Sequence, residues 1–219
     1  MRLIFGLSLL FTTTLTAEPV REGALITELV SSKQSISPGE TIDIALRIKH
    51  DKGWHTYWKS PGIVGVPTGI DWKLPDGFKA GKILWPQPET VKMGPYNAYG
   101  YHGEVFLIIP LTVSQDANPG TKALIEARAS WMCCSTVCQP AFADLKLSIP
   151  ISKRDQPHKN TKWFNLINSS RSTFAQTNQS WKTTAVRKGK KITLTLSPLE
   201  KENLSVPRTS LFVHIFQNF

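Results

Sequence analysis

The sequence predicts an all-β fold, an immunoglobulin-like β-sandwich followed by a short, incomplete second domain. Short apolar runs alternate with a period of two. Gly, Pro, Asn and Asp punctuate the gaps, as SPG, LPDG, PQP, GPYN and ANPG. No amphipathic helix is legible before residue 160.

The chain opens MRLIFGLSLLFTTTLTAEPV. Arg2 supplies a short positive start, residues 3–11 are apolar, and small or hydroxylated residues run to Ala17. That is the layout of a secretory leader, too short to span a bilayer. Cleavage after Ala17 is expected, and with it export of the mature chain. The expected organisation is a leader over 1–17, a sandwich domain over 18–151, a linker over 152–162 and a partial second domain over 163–219.

Within the sandwich, residues 42–48 alternate strictly, with Ile42, Ile44, Leu46 and Ile48 on one face and Asp43 and Arg47 among the others. Residues 24–31 read the same way, and SPGE at 37–40 turns between the two. WHTYW (54–58) puts Trp54, Thr56 and Trp58 on one face. Further strands are expected at 70–74, 82–85, 104–113, 123–131 and 142–151. Trp54, Trp58, Trp72, Trp85 and Trp131 read as packing residues. His55 and His102 read as surface or hydrogen-bonded side chains.

After residue 151 the texture changes. SKRDQPHKNTK (152–162) is polar and broken by Pro157. Trp163, Leu166, Ile167, Ser170 and Phe174 follow helical spacing. Residues 191–196 and 210–216 read as strands, too few for a substantial core. Charge divides at the same place. Residues 1–150 carry 14 Lys and Arg against 13 Asp and Glu, while 151–219 carry 12 against 3. A solvated basic face, or attraction to anionic lipid, accounts for this better than nucleic acid in an exported chain.

All three cysteines, Cys133, Cys134 and Cys138, lie in WMCCSTVCQP (131–140). Outside the cytoplasm thiols are oxidised to disulfides. A staple gains most when it closes a long loop, so a pair four residues apart stabilises little. Redox chemistry, metal binding and chance all remain open on spacing alone. Zinc would need a second Cys pair or a nearby His pair, and neither is present. No Ser/His/Asp order, paired-carboxylate pattern or phosphate-binding glycine loop stands out.

GWHTYWKSPG (53–62), GVPTGIDWKLPDGF (65–78), ILWPQPE (83–89), YGYHGEVFLIIPLTV (99–113) and WMCCSTVCQP (131–140) occur in that order. Together they resemble the N-terminal periplasmic region of the DsbD-like protein-disulfide reductases, most of all the ScsB type. The resemblance covers residues 22–151. It implies an immunoglobulin-like domain that delivers reducing equivalents to periplasmic thiol proteins, fed by a membrane-embedded DsbD- or CcdA-like electron donor. It also implies a connection to cytochrome c-type biogenesis or copper tolerance. The redox pair falls on Cys134 and Cys138, flanked by Trp131 and Pro140, and no cofactor or metal is implied. The family's aromatic cap loop over the disulfide points to the stretch holding Tyr99 and Tyr101. SPGIV (60–64) departs from the Asn-Pro-Gly-acidic pattern common in the family, and the membrane and thioredoxin-like domains are not in this sequence.

Thiol–disulfide exchange needs one thiolate to attack and a second to resolve. Cys138, two residues before Pro140, is favoured for the solvent-facing role. Cys133 points away from Cys134 in an extended chain and reads as a small buried hydrophobe. Two other classes stand beside the relay: a copper-handling protein using Met132, Cys133, Cys134 and Cys138 as sulfur ligands, and a non-catalytic β-sandwich interaction module.

Overall fold

The computed structural model describes residues 17–174 and 181–199. The expected leader, apart from Ala17, and the expected strand at 210–216 lie outside the described residues. The chain divides into two compact units, one ending at Phe174 and one starting at Ala175.

The first unit contains β1 (Val20–Glu22), β2 (Leu25–Ser31), β3 (Thr41–His50), β4 (Thr56–Tyr57), β5 (Gly69–Lys73), β6 (Phe78–Ala80), β7 (Glu89–Met93), β8 (Tyr96–Tyr101), β9 (Glu104–Val113), β10 (Lys122–Cys134), β11 (Cys138–Pro150) and α1 (Phe164–Ser172). A five-stranded sheet has the order β1-β2-β3-β9-β6, and a three-stranded sheet the order β11-β10-β5. A small third sheet, β4-β8-β7, completes the unit. The named strands of this unit all pair antiparallel. The architecture is an immunoglobulin-like sandwich, as the alternating pattern predicts.

Alternation sets which side of each strand is buried. Ile44, Leu46 and Ile48 of β3 and Leu107, Ile109 and Leu111 of β9 are fully buried. Ile125, Ala127, Ala129 and Trp131 of β10 are buried, with exposed or half-buried residues between them. Burying each large aliphatic side chain stabilises the fold by about 1.5–3 kcal/mol.

The other face of β3 is covered too. Val30, Ala45, Phe106, Ile108 and Ile167 form a second apolar cluster, with Leu84, Trp163 and Phe174 packed against it. Ile167 is the α1 residue inserted there, at 0% exposure. Arg171 pairs with Asp43, and the Arg47 guanidinium lies 4.8 Å from the Trp163 ring centre. Thus Asp43 and Arg47, the polar positions of an alternating strand, become docking points for the helix.

Residues 152–174 belong to the first compact unit. The segment 152–162 is tied down by its own polar groups. The Gln34 amide donates to the Lys159 carbonyl at 2.9 Å and the Thr161 amide to the Ser32 carbonyl at 3.0 Å. The His158 ring bonds the Ser35 and Ser37 hydroxyls at 2.7 and 2.9 Å. Polarity that reads as a linker serves as a latch, because its partners lie about 120 residues away in sequence.

Other differences are local. Residues 82–85 form only an isolated bridge between Leu84 and Ile108. The stretch around GPYN is a hairpin rather than a loop, with Met93 paired to Tyr96 across Gly94 and Pro95. Gly94 has φ +57°, which a side chain would resist. In the second unit, β12 (Trp181–Lys188) and β13 (Lys191–Pro198) form one antiparallel hairpin. Its first strand is not legible in the periodicity.

Candidate functional site

The β10–β11 hairpin is one long ladder that ends at the pair Cys134 and Cys138. The cysteines therefore lie in the strands, and only Ser135, Thr136 and Val137 form the turn. A disulfide joins Cys134 to Cys138, whose Cα atoms are 4.1 Å apart. The backbone amide and carbonyl of Cys134 bond His55 on its other side, at 3.0 and 2.9 Å. Cys134 and Cys138 thus occupy a non-hydrogen-bonded position, where facing side chains come closest.

Strand alternation separates the two adjacent cysteines. Cys133 follows Trp131 and Ala129 into the sandwich interior, where it is buried and unpaired. Burial, with Asp51 as a second cause, pushes its thiol up to about 12. Cys134 follows Met132 and Ser130 onto the outer face, yet its exposure is 0%. Its cover is the small β4-β8-β7 sheet: Tyr57, Val91, Ala98 and Cys134 form one apolar cluster, with Val64, Met93, Met132 and Cys138 at its edge. Cys138 stays half-buried, with the Met93 Sδ 3.4 Å from its Sγ.

Two glycines let this cover close. A Cβ at Gly100 would collide with the Thr56 carbonyl, so only glycine lets β8 run against β4. A Cβ at Gly65, which has φ +95°, would enter the Tyr57 ring.

A group of polar side chains gathers around His55, whose backbone bridges Cys134. His55 is buried, and its Nε2 is 3.4 Å from the Tyr57 hydroxyl. The His55 and His102 ring centres are 5.4 Å apart. The Glu89 carboxylate accepts from the His102 backbone amide at 2.8 Å and bonds its Nδ1 at 2.9 Å. Burial, then His102, lowers the pKa of His55 below the ordinary histidine value. Burial raises Tyr57. His50 is lowered to about 4 by burial, and its ring bonds the Gly103 carbonyl and the Thr56 hydroxyl, each at 2.9 Å.

The residues expected around the pair separate into two groups. Pro140 is exposed and lines an outer groove of about 410 Å³ with Val66, Pro67, Met132 and Phe142. Tyr99 is also exposed, edge-on to Trp58 at 6.4 Å. Trp131 and Tyr101 are core residues instead: Trp131 is on the interior side of β10, and the buried Tyr101 hydroxyl donates to the Pro86 carbonyl at 2.8 Å. The thioether of Met93 contacts the disulfide where the sequence suggested a tyrosine. Nothing in sequence spacing singles out Met93 or His55, because each reaches the site through pairing with a distant strand.

Among the described residues, no group of three or more His, Cys, Asp and Glu side chains is arranged to hold a metal ion. No described helix is long and apolar enough to cross a membrane.

Residues 26–150 match the family described as thiol:disulfide interchange protein DsbD, N-terminal. A search of curated proteins found no match. Among solved structures, the N-terminal periplasmic domain of ScsB from Proteus mirabilis is similar, with a TM-score of 0.57 and 21% identity. That match covers 82% of this chain and 66% of the other, so the chain spans just under two thirds of it. At that identity the likeness speaks to the fold. With the family match spanning more than half of the sequence, the chain belongs to the DsbD N-terminal family, whose general chemistry is thiol–disulfide exchange.

Proposed function

We propose that this chain acts in the periplasm, passing reducing equivalents to thiol–disulfide proteins through Cys134 and Cys138. In this reading a membrane-embedded DsbD- or CcdA-like donor supplies the electrons. The observation that carries it is the position of the disulfide. It joins two facing residues at the free end of a ladder that already holds them together, so it adds little as a staple. It also lies on the outer face of the sandwich, under a cover made by a separate small sheet. Cys138, half-buried beside an exposed apolar groove, is the sulfur that meets a partner; Cys134, fully covered, resolves the mixed disulfide.

The test is trapping. With the resolving thiol removed, Cys134→Ser should accumulate a reductant-sensitive adduct with a periplasmic thiol protein, whereas Cys138→Ser should trap little. Adducts from neither variant, in an extract containing thiol–disulfide proteins, would count against the relay.

One observation favours a second reading, copper handling. The Met93 thioether is within 3.4 Å of the Cys138 sulfur, and Met132 lies at the edge of the same cluster. Thioethers and thiolates together suit Cu(I). Cys133, on the interior face, is not part of that set. Under this reading Met93→Ala weakens Cu(I) binding by the reduced protein, and no covalent adduct forms in either cysteine variant.

A further inference from the structure

The strand register places three side chains in one row across the sheet. His55 bridges Cys134, and Cys134 pairs with Cys138. Residues directly opposite in antiparallel strands project to the same face, with Cβ atoms about 4.5–5.5 Å apart. Tyr57, two residues from His55, packs with Cys134 in one cluster, as that alternation requires. We propose that His55 takes the proton from Cys134 when it resolves the mixed disulfide, and that His102 and Glu89 connect His55 to solvent. The proposal rests on the thiol–disulfide reading above.

In the oxidising half-reaction the protein dithiol is the reductant and a partner disulfide the oxidant. The Cys138 thiolate attacks one sulfur of a disulfide; a Cys138–sulfur bond forms, and the electron pair of the broken bond leaves with the other sulfur. The Cys134 thiol then gives its proton to the neutral His55 ring. Its thiolate attacks the Cys138 sulfur, the Cys134–Cys138 bond forms, and the second sulfur leaves as a thiolate. Two electrons pass from the protein dithiol to the oxidant. The proton on His55 passes outward to His102 and Glu89.

Cys134 needs such a partner because its surroundings are apolar, and a buried thiol gives up its proton reluctantly. The groups facing His55 leave few other candidates. Tyr57, from its own strand segment, is held protonated by burial and is a donor rather than a base. His50, from β3, has both ring nitrogens bonded already. His102, between β8 and β9, is 41% exposed and paired with Glu89 of β7, itself 57% exposed, so this pair reaches water. Burial keeps His55 neutral at ordinary pH, the form that accepts a proton.

The experiment treats the reduced protein with 5,5′-dithiobis(2-nitrobenzoate) and follows release of the coloured thiolate. Attack by Cys138 releases the first equivalent in a phase that depends on reagent concentration. Attack by Cys134 on the mixed disulfide releases the second in a concentration-independent phase. His55→Gln should slow the second phase by roughly 100-fold and leave the first within about twofold, the range of a lost general base. Its pH profile should move up toward thiol titration. His102→Gln, an exposed change, should move the second-phase midpoint to higher pH, since His102 lowers the proton affinity of His55. Should His55→Gln disturb folding, the His102→Gln midpoint decides. A second phase unchanged in rate and pH profile in both variants overturns the role of His55. Absence of any second phase in the unaltered protein overturns the exchange reading itself.

Discussion

Two outer faces of the sandwich are each covered by a small added element. Over β3 and β9 lies α1, which inserts Ile167 among Val30, Ala45, Phe106 and Ile108 and is tied on by Arg171 and Asp43. Over the end of β10 and β11 lies the β4-β8-β7 sheet, which covers Cys134 with Tyr57, Val91 and Ala98 and leaves Met93 against Cys138. The first cover closes aliphatic side chains that have no chemistry of their own. The second closes a disulfide beside buried histidines. The same burial that adds stability on one side controls access and proton affinity on the other.

The largest effect is expected from removing the aliphatic cover. A chain ending at residue 151, where the sequence alone places the boundary, loses α1 and should lose several kcal/mol, about half of an ordinary domain's stability. A chain ending at residue 174 should keep nearly all of it. Urea unfolding compares the two, and equal midpoints would show that α1 is not part of the folding unit. Ile167→Ala should by itself cost about 2–5 kcal/mol.

Acid should act on the other cover. Unfolded, His50 binds a proton near 6.5; folded, burial lowers that to about 4. Between those values the unfolded chain holds more protons, so stability falls as pH drops from 6.5 to 4, by up to about 3 kcal/mol. His50→Gln should flatten that part of the stability–pH curve. An unchanged slope would assign the acid sensitivity to other groups.

Gly100→Ala should loosen the small sheet, because its Cβ would collide with the Thr56 carbonyl. A cost of about 1–3 kcal/mol is expected, together with faster reduction of the disulfide by dithiothreitol. Slower or equal reduction would mean that this sheet does not limit access. The smallest effect is expected from Met93→Ala. It should speed reduction a few-fold while changing stability by about 1 kcal/mol or less, a separation that the matching Ile167 change cannot show.

Much of this arrangement is legible in the residues. Ile42, Ile44, Leu46 and Ile48 announce β3, and the alternation along 123–131 announces β10, since a half-buried strand must alternate. The opposite directions of Cys133 and Cys134 follow from the same rule, and the structure places them so. The hairpin at 89–101 was not legible: GPYN is as good a loop as a tight turn, and its strands carry few apolar residues. Nor was the docking of 152–174, where Asp43 and Arg47 look like solvent-facing positions until a helix packs on them.

The sequence by itself determined the sandwich, the single cluster of cysteines and the family they belong to, because strand period and turn residues act locally. Which side chains meet the sulfur atoms was decided only in three dimensions. The His55 backbone bridges Cys134 across 79 positions, and the Met93 thioether meets the Cys138 sulfur across 45. Such neighbours are set by strand register and by glycine-permitted close approach, and neither is written in the spacing of the residues that come together.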